Sequence, residues 1–170
     1  IEGEGAALRQ GLAEAWFRLG VGNLARGQWE DGRAALRQAL SLGHGRQRAQ
    51  YYQGLAALAA GDGKAAVGEL APLAENEPAN PRYRYHLGLA LLQAGRAEEA
   101  VPVLQQGLAA GGSERDTLGA QLALACAHAQ AARWGEAAEL YRAALTGESR
   151  PPAAGKASPQ AGRGRRKAAR

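Results

Sequence analysis

Three histidines, one cysteine and a Gly-Asp-Gly-Lys segment are the side chains here whose types could carry chemistry. His44, His86 and His128 stand far apart and show no close metal-ligand spacing. Cys126 lies two residues before His128, and residues at that interval do not share a helix face, so a Cys–His nucleophile pair is not expected. Gly61-Asp62-Gly63-Lys64 resembles a phosphate-binding loop only superficially. It lacks the GxxxxGK[ST] spacing and has no strand before it. Glu75, Glu77, Glu98 and Glu99 read as solvated charges at helix ends. No combination forms a catalytic constellation, so the chain is expected to be no enzyme and to need no cofactor or metal.

The elements that position these residues follow from composition and period. The 170 residues are rich in Ala, Leu, Gly, Arg, Gln and Glu, with one Phe, which favours helices over sheets. The lone cysteine excludes an internal disulfide framework. No run approaches the roughly 18 apolar residues of a membrane span. The sequence opens IEGEGAAL, with neither an initiator Met nor a signal-peptide core, and is read as a fragment or a processed product. The compartment stays open, with the cytoplasm slightly favoured.

The chain repeats at 34 residues, in units 13–46, 47–80, 81–114 and, after an insertion at 115–117, 118–151. Repeat position 8 reads Gly20, Gly54, Gly88, Ala125, and position 20 reads Gly32, Ala66, Ala100, Ala137. Small residues there let two antiparallel helices approach closely. Larger ones at position 7 (Leu19, Gln53, Leu87, Leu124) and position 24 (Leu36, Leu70, Leu104, Tyr141) fill the space around the contact. Position 15 (Gly27, Gly61, Gly95, Ala132) suits the left-handed turn that ends a first helix. First helices are expected near 13–25, 47–59, 81–93 and 118–130, and second helices near 29–42, 64–76, 97–110 and 134–146. Residues 1–12 form an N-terminal extension or the end of a preceding helix. Pro72 and Pro102 fall inside second helices and call for a kink or an early-turn placement.

This pattern resembles the tetratricopeptide repeat family, which has Trp at position 4, Leu-Gly at 7–8, Ala at 20, an aromatic at 24, Ala at 27 and Pro at 32. Trp16, Leu19-Gly20 and Ala39 carry it in the first unit, and Gly54, Ala66 and Pro78 in the second. Leu87-Gly88 and Ala100 carry it in the third, and Leu124, Ala137, Tyr141 and Ala144 in the fourth. Gln50, Arg84 and Gln121 depart from it at position 4, and Gln53 stands at a core Leu position. The resemblance implies an all-α fold of tandem antiparallel helix-turn-helix units stacked as a right-handed α-solenoid, in which each hairpin covers the apolar face of its neighbour.

It also implies a role: a non-catalytic scaffold that binds a peptide or partner helix on the concave face, which positions 2, 5, 9 and 12 of the first helices line. The implied partner-binding residues are Phe17, Tyr51, Tyr85 and Leu122 at position 5, Leu55 and Leu89 at position 9, and Glu14, Arg48 and Arg82 at position 2. Such a groove suits a protein or peptide ligand with apolar anchors and a carboxylate. The family's carboxylate clamp for acidic chaperone tails is not expected, because its places hold Phe17, Val21, Tyr52, Arg82 and His86, of which only Arg82 is compatible.

All sixteen acidic residues lie before residue 151, where they outnumber the fifteen basic ones, so the net charge of +5 belongs to the end of the chain. Residues 151–170 are Pro, Gly, Ala and basic, and are expected to be disordered. Two alternative roles attach to this organisation. One is association with nucleic acid or an acidic partner through the tail, without base stacking because no aromatic interleaves the charges. The other is an accessory repeat segment of a larger enzyme or of a secretion or assembly component. Pro151-Pro152 stops the pattern without a polar capping helix, which suggests an excised piece or an end covered by a partner.

Overall fold

The computed structural model describes residues 2–43 and 45–147, with side chains from residue 5 onward; His44 and the basic tail 151–170 lie outside them. The described residues form eight helices: α1 (Glu2–Ala25), α2 (Trp29–Ser41), α3 (Arg46–Ala59), α4 (Gly63–Asn76), α5 (Pro81–Gln93), α6 (Ala97–Ala109), α7 (Glu114–Gln130) and α8 (Trp134–Thr146). Each consecutive pair packs as a hairpin, and each hairpin packs on the next through its second helix and the following first helix.

The turns inside the four hairpins are built alike. Gly27, Gly61 and Gly95 have φ of 76°, 81° and 75°, and Ala132 takes the same left-handed region at 57°. One residue further on, the backbone N–H groups of Gln28, Asp62, Arg96 and Arg133 donate to the carbonyls of Asn23, Ala57, Leu91 and His128 at 2.8–2.9 Å. This bond satisfies a carbonyl that the end of the helix would otherwise orphan. The Gly-Asp-Gly-Lys segment is one of these turns. Asp62 caps α4 by accepting the Ala65 N–H at 3.0 Å.

Close helix approach at positions 8 and 20 organises the core. A Cβ on Gly20, Gly54 or Gly88 would stand 2.4–2.7 Å from Leu36, Leu70 or Leu104, and those leucines are fully buried. Gly32 faces Leu24 with equally little room, and Ala66, Ala100 and Ala137 are buried. One continuous cluster runs from Ala57 through Leu70, Leu87 and Leu104 to Leu140. A smaller one joins Phe17, Leu36 and Ala39 to Ala49 of α3.

Two helices start earlier than the period alone indicates. α1 runs unbroken from Glu2, so the extension continues the first helix. α7 begins at Glu114 and absorbs the insertion at 115–117 as an added first turn, capped by Ser113, whose Oγ accepts the Asp116 N–H at 3.2 Å. α4 and α6 continue through Pro72 and Pro102, both of which are exposed.

Gln53 is the core defect that its repeat position suggested. Its side chain is buried, and its amide nitrogen finds no hydrogen-bond partner among the described residues. Leucine at this position restores an apolar core, so Gln53→Leu should raise the unfolding free energy by about 1–2 kcal/mol. A urea titration measures this directly, and an unchanged midpoint would contradict the assignment.

The first helices form the inner layer. α1, α3, α5 and α7 touch one another in succession, whereas α2, α4, α6 and α8 make no mutual contact. Elements that converge on one side and splay on the other give a curved array with the first helices lining the concave face.

Candidate partner-binding groove

A groove of about 700 Å³ opens where the N-terminal ends of α3, α5 and α7 converge. Its walls come from Arg48, Tyr51 and Tyr52 of α3, from Asn80, Arg82 and Tyr83 at the start of α5, and from Ser113 and Asp116 at the start of α7. Asn80 fixes the entry to α5 by accepting the Arg82 N–H at 3.2 Å, with Pro81 as the first helical residue.

Tyr51 is the centre of this arrangement. Its ring meets Tyr52, Tyr83 and His86 with centroids 5.7, 5.3 and 5.5 Å away. Burial pushes its hydroxyl up to about 12, so it remains a neutral phenol. His86 Nδ1 lies 2.8 Å from the Arg82 carbonyl and 3.2 Å from the Tyr51 oxygen. The carbonyl can only accept, so Nδ1 carries the proton and the tyrosine oxygen shares it.

Arg48 and Arg82 outnumber Asp116 among the charged residues that line the groove. The Arg48 guanidinium lies over the Phe17 ring at 4.8 Å, a cation–π contact that holds it against the wall. Arg82 is exposed. No carboxylate of the described residues forms an ion pair with either arginine. Two guanidinium groups beside phenol rings packed edge-on and tilted are an environment for a carboxylate next to an apolar or aromatic side chain.

The nine residues singled out from the sequence occupy different environments. Tyr51, Arg48 and Arg82 line the groove. Phe17 is buried beneath Arg48 and meets the edge of Tyr52 at 5.5 Å. Tyr85 is half-buried at the third joint, where its hydroxyl stands 2.8 Å from where a Gly119 Cβ would be. Leu55 and Leu89 are half-buried, and Leu89 packs on the main core. Leu122 is exposed on the last hairpin, and Glu14 pairs with Arg18 at 2.7 Å. Tyr52, Tyr83, Asn80, Ser113 and Asp116 were not singled out. For Tyr83, Asn80, Ser113 and Asp116 the signal was the capped loops before α5 and α7, which bring the helix starts together, and for Tyr52 it was the place beside Tyr51 on α3.

The other chemically capable residues stay apart. His128 is buried on α7. Cys126 is exposed, with its sulfur 3.2 Å from the Tyr141 hydroxyl. Among the described residues no group of three or more His, Cys, Asp or Glu could hold a metal ion, and no helix is long and apolar enough to cross a membrane.

Half-buried His86 and buried His128 both make stability depend on pH. Burial lowers the pKa of His86 below its ordinary 6.5; the hydrogen bond to the Arg82 carbonyl opposes this, Arg82's charge adds to it and Asp116 opposes it. Burial, then the charge of Arg133, lowers His128 in the same way. Below 6.5 the unfolded chain therefore takes up protons that the folded chain refuses, and stability falls as pH falls. Urea midpoints should decline between about pH 7.5 and 5.5, and the His86→Gln/His128→Gln pair should flatten that decline. An equally steep decline in the double variant would assign it to other groups.

Stacked hairpins with a polar-rimmed aromatic groove on their inner layer define a class, the helical-repeat protein-interaction scaffold. Within that class the chain belongs to the tetratricopeptide repeat family, which matches residues 17–71 and, in a second overlapping match, 53–115. Solved structures share the fold. MamA from residue 41 to its end, from Desulfovibrio magneticus RS-1, is 20% identical, with 79% of this chain and 74% of that one covered at a TM-score of 0.72. MamA of MSR-1 is 24% identical over 79% of this chain and 75% of that one, with a TM-score of 0.68. MamA of AMB-1 is 24% identical over 79% and 77%, with a TM-score of 0.66. No curated protein matches the chain significantly.

Proposed function

We propose that this chain is a non-catalytic scaffold that binds an extended peptide segment of a partner protein in the groove between α3, α5 and α7. The observation that carries the reading is the pairing of Arg48 and Arg82, neither in an ion pair among the described residues, with the Tyr51–Tyr52–Tyr83 cluster. The preferred ligand carries an acidic side chain or terminal carboxylate beside an apolar or aromatic anchor. The arginines take the carboxylate and the tyrosine faces take the anchor. Phe17 acts from beneath by holding Arg48, and Tyr85 by fixing the third joint.

Selection from a displayed library of random peptides tests this. Enriched peptides should share an acidic residue close to an apolar one, and should protect Tyr51 and Tyr83 resonances in NMR titrations. No enrichment, or enriched peptides that perturb only the outer helices, would refute the reading.

A further inference from the structure

Among the described residues, nothing covers on the fourth hairpin the face that is covered on each of the first three. Repeat positions 5, 17, 24 and 28 of each hairpin lie toward the next one. At position 24, Leu36, Leu70 and Leu104 are fully buried, while Tyr141 is 38% exposed. At positions 5, 17 and 28 the earlier units hold only buried or half-buried residues, while Leu122, Trp134 and Leu145 are 40%, 67% and 88% exposed. These four side chains form one apolar end surface across α7 and α8.

What covers this surface elsewhere in the chain is always the same element, the first helix of the following hairpin, which meets it through small residues at the first and third joints and through Tyr83, packed on Tyr51, at the second. Ala49 of α3 packs with Phe17 and Leu36, and Gly119 and Ala120 of α7 meet Tyr85. The first helix of the first hairpin has the same surface with nothing on it among the described residues. Ala15 is exposed where Ala49 and Ala120 are buried, and Leu19 is 45% exposed where Leu87 and Leu124 are covered. Leu8 and Leu12, exposed at 76% and 51%, continue that stripe along α1 at helical spacing.

We propose that these two surfaces are partners, and that a second copy of this chain seats its α1 on the α7–α8 face, continuing across the two chains the register of the three interior joints. The pairing is head-to-tail, so each added copy exposes a fresh end and the assembly grows as an open row of hairpins, not a closed dimer. It leaves the groove between α3, α5 and α7 accessible, and it does not depend on what that groove binds.

Sedimentation of the full chain with Leu19→Glu and Leu145→Glu variants tests the geometry. Both positions are well exposed, so each variant should keep its helix content by circular dichroism. The unmodified chain should rise with concentration from the mass of one 17.7 kDa chain through dimers to larger species. Each variant alone should stay monomeric. An equimolar mixture should form a dimer that grows no further, because each variant keeps the end the other has lost. An unmodified chain that is monomeric at every concentration would overturn the proposal. So would a Leu19→Glu variant that dimerises with itself, which would show symmetric pairing of the α7–α8 faces.

Discussion

Gly63→Val should destabilise the chain by about 3 kcal/mol, at or beyond the upper end of ordinary overpacking costs. Gly63 opens α4 and meets the end of α5. A Cβ there would stand 2.6 Å from the Ala94 nitrogen, 2.7 Å from the Gln93 carbonyl carbon and 3.0 Å from the Ala90 oxygen. Those neighbours are backbone, so no side-chain rotation relieves the clash and the second and third hairpins must separate. At Gly88 the neighbour is the Leu104 side chain, which has some freedom to give. Gly68→Val is the control. It lies on the same helix with nothing within 4 Å of the added atom, and should change stability by no more than about 0.5 kcal/mol. Urea unfolding of the pair decides the matter. Equal effects would mean that the close approach of α4 to α5 does not limit packing.

Arg82→Ala should weaken the acidic peptides selected on this chain by about 10- to 100-fold while leaving folding unchanged. The separation of the two effects follows from geometry. The Arg82 side chain is exposed and has no ion pair or side-chain hydrogen bond among the described residues, so its removal strands nothing. Arg48 differs because it covers Phe17. Arg48→Ala should cost both peptide affinity and about 0.5–1 kcal/mol of stability. Titration calorimetry beside urea unfolding separates the two. An Arg82→Ala variant that binds as tightly as the unmodified chain would move the ligand away from the groove.

The repeat was legible because its constraints are local and steric. A glycine that must face a leucine across a hairpin, or a residue that must turn left-handed, leaves a mark every 34 residues. Gly20, Gly54 and Gly88 all meet the leucine at position 24, and even Ala132 adopts the turn its glycine counterparts adopt. The groove was harder to read, since it depends on how successive hairpins rotate against each other. The same repeat position is buried as Phe17, lines a groove as Tyr51, fills a joint as Tyr85 and is exposed as Leu122. Tyr83 and Asp116 enter the groove because α5 and α7 start where Asn80 and Ser113 cap them. The added turn of α7 lay beyond the period for a related reason. An insertion at a helix start costs the repeat nothing when a serine stands ready to cap the longer helix.

Every helix in this array touches only helices one or two places away in the chain. Folding therefore never waits for distant segments to find each other, and loop-closure entropy is spent in small instalments. During synthesis each hairpin can settle as soon as its second helix emerges, onto a neighbour that is already in place. The same locality means that damage at one joint need not spread: heat or denaturant should peel the array from its less covered units while the Leu70–Leu104 centre persists.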